Sequence, residues 1–196
     1  MICTMLPADL DSVVRVHLAA FKDFFLSSLG ASFLKEFYEA ALCSESGIAF
    51  TSRRDNVVCG FAVGTTQPRG FYRSLFLRRW HRFLLASAIP VLKNPRSVLS
   101  LLRRLSAVSA DNYPPSEALL MSVAVSPNWQ GQGMGSELID EFLMRAKQKG
   151  AASVSLTTDK LNNDRVNQFY VQSGFDCIRS FTTSEARRMN EYRKYL

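Results

Sequence analysis

The sequence predicts a mixed α/β layer domain, and three observations carry that prediction. The first is composition. The chain has 196 residues, 47% hydrophobic and 21% charged, which is ordinary for one globular domain and excludes disordered and fibrous architectures. The second is that apolar residues recur at helical spacing in some segments and as short β-type runs in others. The third is the order of those segments, broadly β, α, α, β, β, an insert, then β, α, β, α, β, β. A chain of this length buries a core without disulfide or metal staples.

Taken in order, Leu10 to Phe21 places Val13, Val14, His17, Leu18 and Phe21 on one helical stripe, after Asp9 and Asp11. Phe33, Leu34, Phe37, Tyr38 and Leu42 mark a second helix. Gly47–Thr51 and Val57–Thr65 read as strands joined by a turn at Arg53–Asn56, a hairpin. Ala118–Ser126 is a strand stopped by Pro127, and a turn at Asn128–Gly133 opens a helix from Met134 to Lys149, with Gly150 at its C-terminal end. Val154–Thr158 is a strand and Asn162–Ser173 a helix. Phe175–Thr183 and Arg187–Leu196 are the final two strands.

The segment Pro68–Ser116 interrupts this alternation. Helices are expected near Phe71–Ile89 and Pro95–Ala107, punctuated by prolines. Between Arg69 and Arg104 lie nine of the chain's 24 basic residues and none of its 17 acidic ones. The formal net charge of +7 therefore resides in this insert. Phe76, Trp80, Phe83 and Leu84 are expected on one face, with Arg78 and Arg82 opposite. Val98, Leu101, Leu102 and Leu105 likewise oppose Arg96 and Arg103. The plain reading is a helical subdomain with a solvated basic face. Two functional readings stand beside it: peripheral contact with an anionic membrane surface, and recognition of an anionic acceptor such as a nucleotide-linked amino sugar. The basic run is interleaved with core-type aliphatics and carries no nucleic-acid-binding motif, so no nucleic-acid partner is expected.

No apolar run approaches the roughly 20 residues of a membrane span. The N-terminus lacks a signal-peptide pattern, so a cytoplasmic protein is expected. Cys3, Cys43, Cys59 and Cys177 have neither CxxC spacing nor a nearby His and read as reduced, mostly buried hydrophobes, with no metal site. His17 reads as a bystander on its helix.

The run that carries chemistry is Val123-Ala-Val-Ser-Pro-Asn-Trp-Gln-Gly-Gln-Gly-Met-Gly-Ser136. Gly131, Gly133 and Gly135 allow positive φ and close backbone approach. The free N–H groups of the helix start, at the positive end of its dipole, suit a phosphate. The spacing is neither the dinucleotide GxGxxG nor the nucleoside-triphosphate GxxxxGK[ST].

Gln130-x-x-Gly133-x-Gly135, preceded by Val123-Ala-Val125, resembles the acyl-CoA pyrophosphate loop of the GCN5-related N-acetyltransferases (GNATs). Asn163-x-x-Val166-x-x-Phe169-Tyr170-x-x-x-Gly174-Phe175 is similar to a second block of that family, with Val at the usual Ala position. The resemblance follows element order over nearly the whole chain except Pro68–Ser116. It implies one GNAT-like domain over 1–196, with a mostly antiparallel central sheet whose strands splay at the acyl-CoA site, flanked by helices.

It also implies roles. Backbone groups of Val123 and Val125 would pair with the pantetheine arm as another strand does. The region Gln130, Gly131, Gln132, Gly133, Gly135 and Ser136 would hold the pyrophosphate, with Gln130 standing where many relatives carry Arg. Asn163 would contact a pantetheine amide. Tyr170 would protonate the departing CoA thiolate, a phenol being protonated at neutral pH. Glu117 is the candidate base that deprotonates the amine, with Asp111 a more distant alternative. The plain readings are a packed aromatic for Tyr170 and a solvated strand-start residue for Glu117. The implied activity is acetyl transfer from acetyl-CoA, as cosubstrate, to a primary amine by direct attack on the thioester, in a monomer or homodimer. Its rival is an acyl-CoA-binding module without turnover. Phe24, Phe25 and Leu26 border the acceptor groove in this family, or simply pack.

Overall fold

The computed structural model describes residues 1–22, 24–83, 85–86, 113–183 and 186–196. Seven strands form one sheet in the order β1-β2-β3-β4-β5-β7-β6. These are β1 (Ile2–Thr4), β2 (Gly47–Arg54), β3 (Val57–Thr65), β4 (Glu117–Val125), β5 (Ser153–Asp159), β6 (Asp176–Thr182) and β7 (Arg188–Tyr195). All neighbours are antiparallel except β4 and β5. The helices are α1 (Leu10–Ala20), the short α2 (Phe25–Ser28), α3 (Gly30–Leu42), α4 (Phe71–Arg78), α5 (Met134–Gln148) and α6 (Asp164–Gln172). The mixed, mostly antiparallel architecture agrees with the sequence.

Two apolar clusters cover the two faces. Val13, Leu34, Phe37 and Tyr38 of α1 and α3 pack with Phe61 and Val63 of β3 and Ala124 of β4. Leu138, Phe142 and Ala146 of α5, with Tyr170 of α6, pack with Leu120, Leu156 and Tyr192. Strand alternation explains the division, because neighbouring residues on β3 and β4 serve opposite clusters.

The parallel β4–β5 contact is what positions the site. It spans only Glu117–Leu119 against Ser153–Ser155. Beyond it β4 continues to Val125 and β5 to Asp159 without pairing to one another, while β5 stays paired with β7 along its length. The parting coincides with a bulge. Val63 opposes Ser122 and Gly64 opposes Leu120, so Met121 is the extra residue. Glycine is required opposite it, since a Cβ at Gly64 would overlap the Leu119 carbonyl oxygen and the Phe142 ring.

In the insert, α4 ends at Arg79, whose φ of −128° and ψ of 24° leave the helical region. Residues 80–83 are helical again. Directly after this break one expectation is corrected. Phe83 is buried and Phe76 packs on the core as predicted, but Trp80 points outward at 62% exposure. The Leu84 side chain and the helix expected over Pro95–Ala107 lie outside the described residues.

Arg78 and Arg82 of the basic face are exposed as predicted, and part of the charge there is paired. Arg79 and Arg82 both pair with Glu39 at 3.0 Å, and Arg82 lies 3.3 Å from Glu36, clasping α3. The cysteines are free as expected, yet only Cys59 is buried, and Cys43 and Cys177 are exposed. None of the described helices is long and apolar enough to cross a membrane.

Candidate active site

One end of the cleft is built by the chain between β4 and α5. Pro127–Trp129 form a 3₁₀ turn, and Gly131 and Gly133 then take φ of 78° and 80°. An L side chain in that region costs about 1–2 kcal/mol. Gly133 is the N-cap of α5, no side chain caps that end, and the first helical bond there is Glu137 N–H to the Gly133 carbonyl at 3.1 Å. The N–H groups of Met134, Gly135 and Ser136 therefore precede the first turn's internal partners. Gln132, Gly133 and Ser136 are exposed, Gly135 is half-buried and the Met134 side chain is buried. A Cβ on Gly135 would come 3.3 Å from the Phe169 ring, which places α6 directly against this helix start.

The edge of β4 beyond the bulge is open on the β5 side. Ser126 N–H donates to the Cys59 carbonyl on β3 at 2.7 Å. By alternation, the backbone groups of Val123 and Val125 turn the other way, into the cleft. The Gln130 side chain confirms this direction for Val125, because its Nε2 donates to the Val125 carbonyl at 3.1 Å. Gln130 is thus folded onto the strand end.

Asn163, at the N-cap of α6, donates through Nδ2 to Thr158 Oγ1 at 2.9 Å and to the Asp159 carbonyl at 3.1 Å. Asn167 repeats the pattern, donating to the Asp159 and Asn163 carbonyls. It accepts from Asn190 and from the Tyr192 hydroxyl. These bonds lock the start of α6 to the end of β5. Tyr170 on this helix is buried among Phe169, Phe175 and Tyr192. Burial pushes its phenol well above the ordinary range, with the neighbouring Tyr192 adding to the effect. The hydroxyl stays protonated throughout the physiological range.

Glu117 is not the solvated residue that one sequence reading expected. It is 0% exposed, and both its oxygens accept from Arg193, at 2.6 and 3.4 Å. A buried carboxylate requires such a partner. Desolvation raises its pKa, and the Arg193 guanidinium opposes the rise without cancelling it. Arg193 lies 4.0 Å from Glu191, which pairs with Arg179 at 2.6 Å. Glu117 stands in the closed part of the β4–β5 pair, four residues before Met121, or about 13 Å along an extended strand. Asp111 lies outside the described residues.

At the far end of the cleft the turn after α1 meets the β6–β7 turn. The Arg187 guanidinium lies 5.5 Å from the Phe24 ring centroid and pairs with Asp159 at 2.6 Å. Leu26 packs partly on the α1–α3 cluster, and the Phe25 side chain lies outside the described set.

One group of residues was missed in the sequence. His17, read as a bystander on its helical stripe, is 3% exposed, with Nδ1 2.6 Å from the Tyr38 hydroxyl. Burial pushes the Tyr38 phenol well above its ordinary range. Nothing local signals this pair, because the two residues come from α1 and α3.

Comparison with known proteins agrees with this geometry. Residues 101–175 match the model of the Acetyltransferase (GNAT) family. The ribosomal-protein-S18-alanine N-acetyltransferase of Escherichia coli superposes with a TM-score of 0.61 at 16% identity, covering 100% of this chain and 92% of that one. An N-acetyltransferase from Staphylococcus aureus Mu50 gives 0.66 at 13% identity, with 100% and 97% covered. An aminoglycoside 6'-N-acetyltransferase in complex with coenzyme A gives 0.62 at 12% identity, with 100% and 96% covered. A comparison with curated protein sequences gives no match. Over the whole chain the fold is the GNAT fold, and residues 101–175 match the GNAT family model.

Proposed function

We propose that the protein is an N-acetyltransferase that moves the acetyl group of acetyl-CoA to a primary amine by direct attack on the thioester. The observation that carries this reading is the pairing of two features at one place. An uncapped helix start follows glycines held at positive φ, and it sits at the mouth of a parallel strand pair that parts after three residues. The first suits a pyrophosphate. The second offers the cleft-facing backbone of Val123 and Val125 to an extended amide-bearing arm. The family match over residues 101–175 supports the same assignment.

In this reading the region from Gln130 to Ser136 holds the pyrophosphate through backbone N–H groups, and Asn163 offers its side-chain oxygen to the arm. The amine nitrogen attacks the carbonyl carbon, the C–N bond forms, and the C–S bond breaks with its electron pair going to sulfur. Tyr170 donates its phenolic proton to that sulfur. The proton leaving nitrogen passes to Glu117 through water, since the carboxylate itself is enclosed. Its upward-shifted pKa makes it a better proton acceptor than an ordinary carboxylate.

The acceptor is a primary amine on a small molecule or a peptide. Arg79 and Arg82 are engaged by Glu36 and Glu39, which removes two of the guanidinium groups an anionic acceptor would use. A second reading, an acyl-CoA-binding module without turnover, draws on the enclosure of Glu117 by Arg193.

The test is thiol release from acetyl-CoA across a panel of amines, with Tyr170→Phe beside the wild type. Turnover that collapses in the variant while CoA still binds is the expected result. CoA binding with no acetylated product from any amine would favour the second reading.

A further inference from the structure

The inner side of the insert's first helix is accounted for by packing, and its outer side is not. Phe71 and Leu75 of α4 are buried, as is Phe83 just beyond it. The Phe76 and Phe83 rings lie 4.3 Å apart, and both meet Phe33 of α3, at 6.1 and 5.2 Å. Together with the ion pairs of Arg79 and Arg82 to Glu36 and Glu39, these contacts fix which side of the segment faces α3. The other side is surface.

That surface is apolar where the outer face of a packed helix is ordinarily polar. Leu77 is 63% exposed, Trp80 62% and Leu85 76%. Three large apolar side chains within nine positions form the densest exposed group of that kind among the described residues, and such a grouping marks an interaction site more than scattered single residues do. Arg73 and Arg78 on the same helix are exposed as well, and neither has an ion-pair partner among the described residues. No Asp or Glu stands between Arg69 and Arg104, so the local sequence offers them none.

The mixture of groups selects the partner. A nucleic-acid backbone would engage the guanidinium groups and leave Leu77 and Leu85 without a role. An apolar protein groove would take the leucines and the indole and leave the cations without one. A bilayer with anionic headgroups uses all of them. Leucine side chains enter the acyl boundary, an indole sits at headgroup depth, and arginines lay their stems along apolar surface while their heads reach phosphate.

We propose that this outer side of the insert, Leu77, Trp80 and Leu85 flanked by Arg73 and Arg78, docks on an anionic lipid surface. The contact is peripheral, because α4 is already packed on the domain through its inner side and none of the described helices is long and apolar enough to cross a membrane. It goes beyond the acetyl-transfer reading and does not depend on it, since none of these residues is among those assigned to the cleft.

The test uses the full chain with vesicles of phosphatidylcholine alone, or of equal parts phosphatidylcholine and phosphatidylglycerol, read by co-sedimentation at low and at physiological salt. The wild type is expected to bind the mixed vesicles and not the neutral ones, less tightly as salt rises. Leu77→Ser with Trp80→Ser is expected to weaken that binding about tenfold or more, and Arg73→Gln with Arg78→Gln about tenfold or more. All four positions are exposed, so thermal melts of these variants are expected to match the wild type. Trp129→Phe leaves Trp80 as the sole tryptophan, and its emission is expected to shift to the blue on mixed vesicles and to be quenched by brominated acyl chains. No vesicle binding by the wild type at low salt would overturn the inference. Binding undiminished in Leu77→Ser with Trp80→Ser, or Trp80 emission unquenched, would overturn it by reducing the contact to charge alone. Salt-sensitive binding of duplex DNA in place of vesicles would overturn it by assigning the guanidinium groups to nucleic acid. Acetyl transfer, assayed in solution without lipid, stands or falls separately from all of these outcomes.

Discussion

The two flanks of β4 are built on different principles. Toward α5, the site is an exposed loop of backbone donors, and its geometry is set by residues adjacent in sequence, Gly131 to Ser136. Toward α1 and α3, and along the closed start of the strand, polar groups are enclosed and fixed by partners far away in sequence. His17 meets Tyr38, and Glu117 meets Arg193 across 76 positions. The difference teaches that an uncapped helix end can be assembled locally from glycine conformations, whereas buried titratable groups need tertiary partners to offset their desolvation.

The largest expected effect lies on the enclosed side. Glu117→Ala leaves the Arg193 guanidinium without its main partner, and unfolding stability is expected to drop by about 3–5 kcal/mol, read by denaturant melts. Glu117→Gln separates strut from base. A falling kcat with a folded protein supports proton transfer through Glu117, and an unchanged kcat with a lowered Tm makes it a strut alone.

Next comes the pH response of His17. Its folded pKa, about 4, lies below the unfolded value near 6.5, so the unfolded chain takes up a proton first as pH falls. Stability contributed by the neutral ring is complete above about pH 6.5 and is lost progressively down to about pH 4, about 3 kcal/mol in all. Thermal melts across that window are expected to show a slope that His17→Asn reduces.

On the α5 and α6 side, Tyr170→Phe is expected to lower kcat by about 10²-fold with CoA affinity retained, checked by steady-state kinetics and calorimetry. Gly133→Val, at φ 80°, is expected to weaken CoA binding about tenfold or more through the 1–2 kcal/mol strain and the displaced N–H groups. Gly70→Ala, also at positive φ but at the start of α4, is its control and is expected to cost stability without touching CoA affinity. The smallest effect belongs to the insert. Arg82→Ala is expected to cost under about 1 kcal/mol, because its ion pairs are solvent-accessible.

What the sequence made legible follows the same division. The strand–turn–helix at Val123–Ser136 and the Asn163–Phe175 block could be placed because their meaning is carried by spacing within one short segment. The element order followed from periodicity, and the sheet agrees with it. The Glu117–Arg193 pair, the clasp of Arg79 and Arg82 on α3, and the His17–Tyr38 pair were not legible. Each joins residues that periodicity treats independently. Trp80 escaped its predicted face because Arg79, directly before it, leaves the helical region.

The measurement that tests the central assignment most directly is product formation from acetyl-CoA with a panel of primary amines, following free thiol and acetylated amine together. The account predicts equal amounts of the two with at least one acceptor class, lost in Tyr170→Phe. Tight CoA binding with neither product across the panel would contradict it.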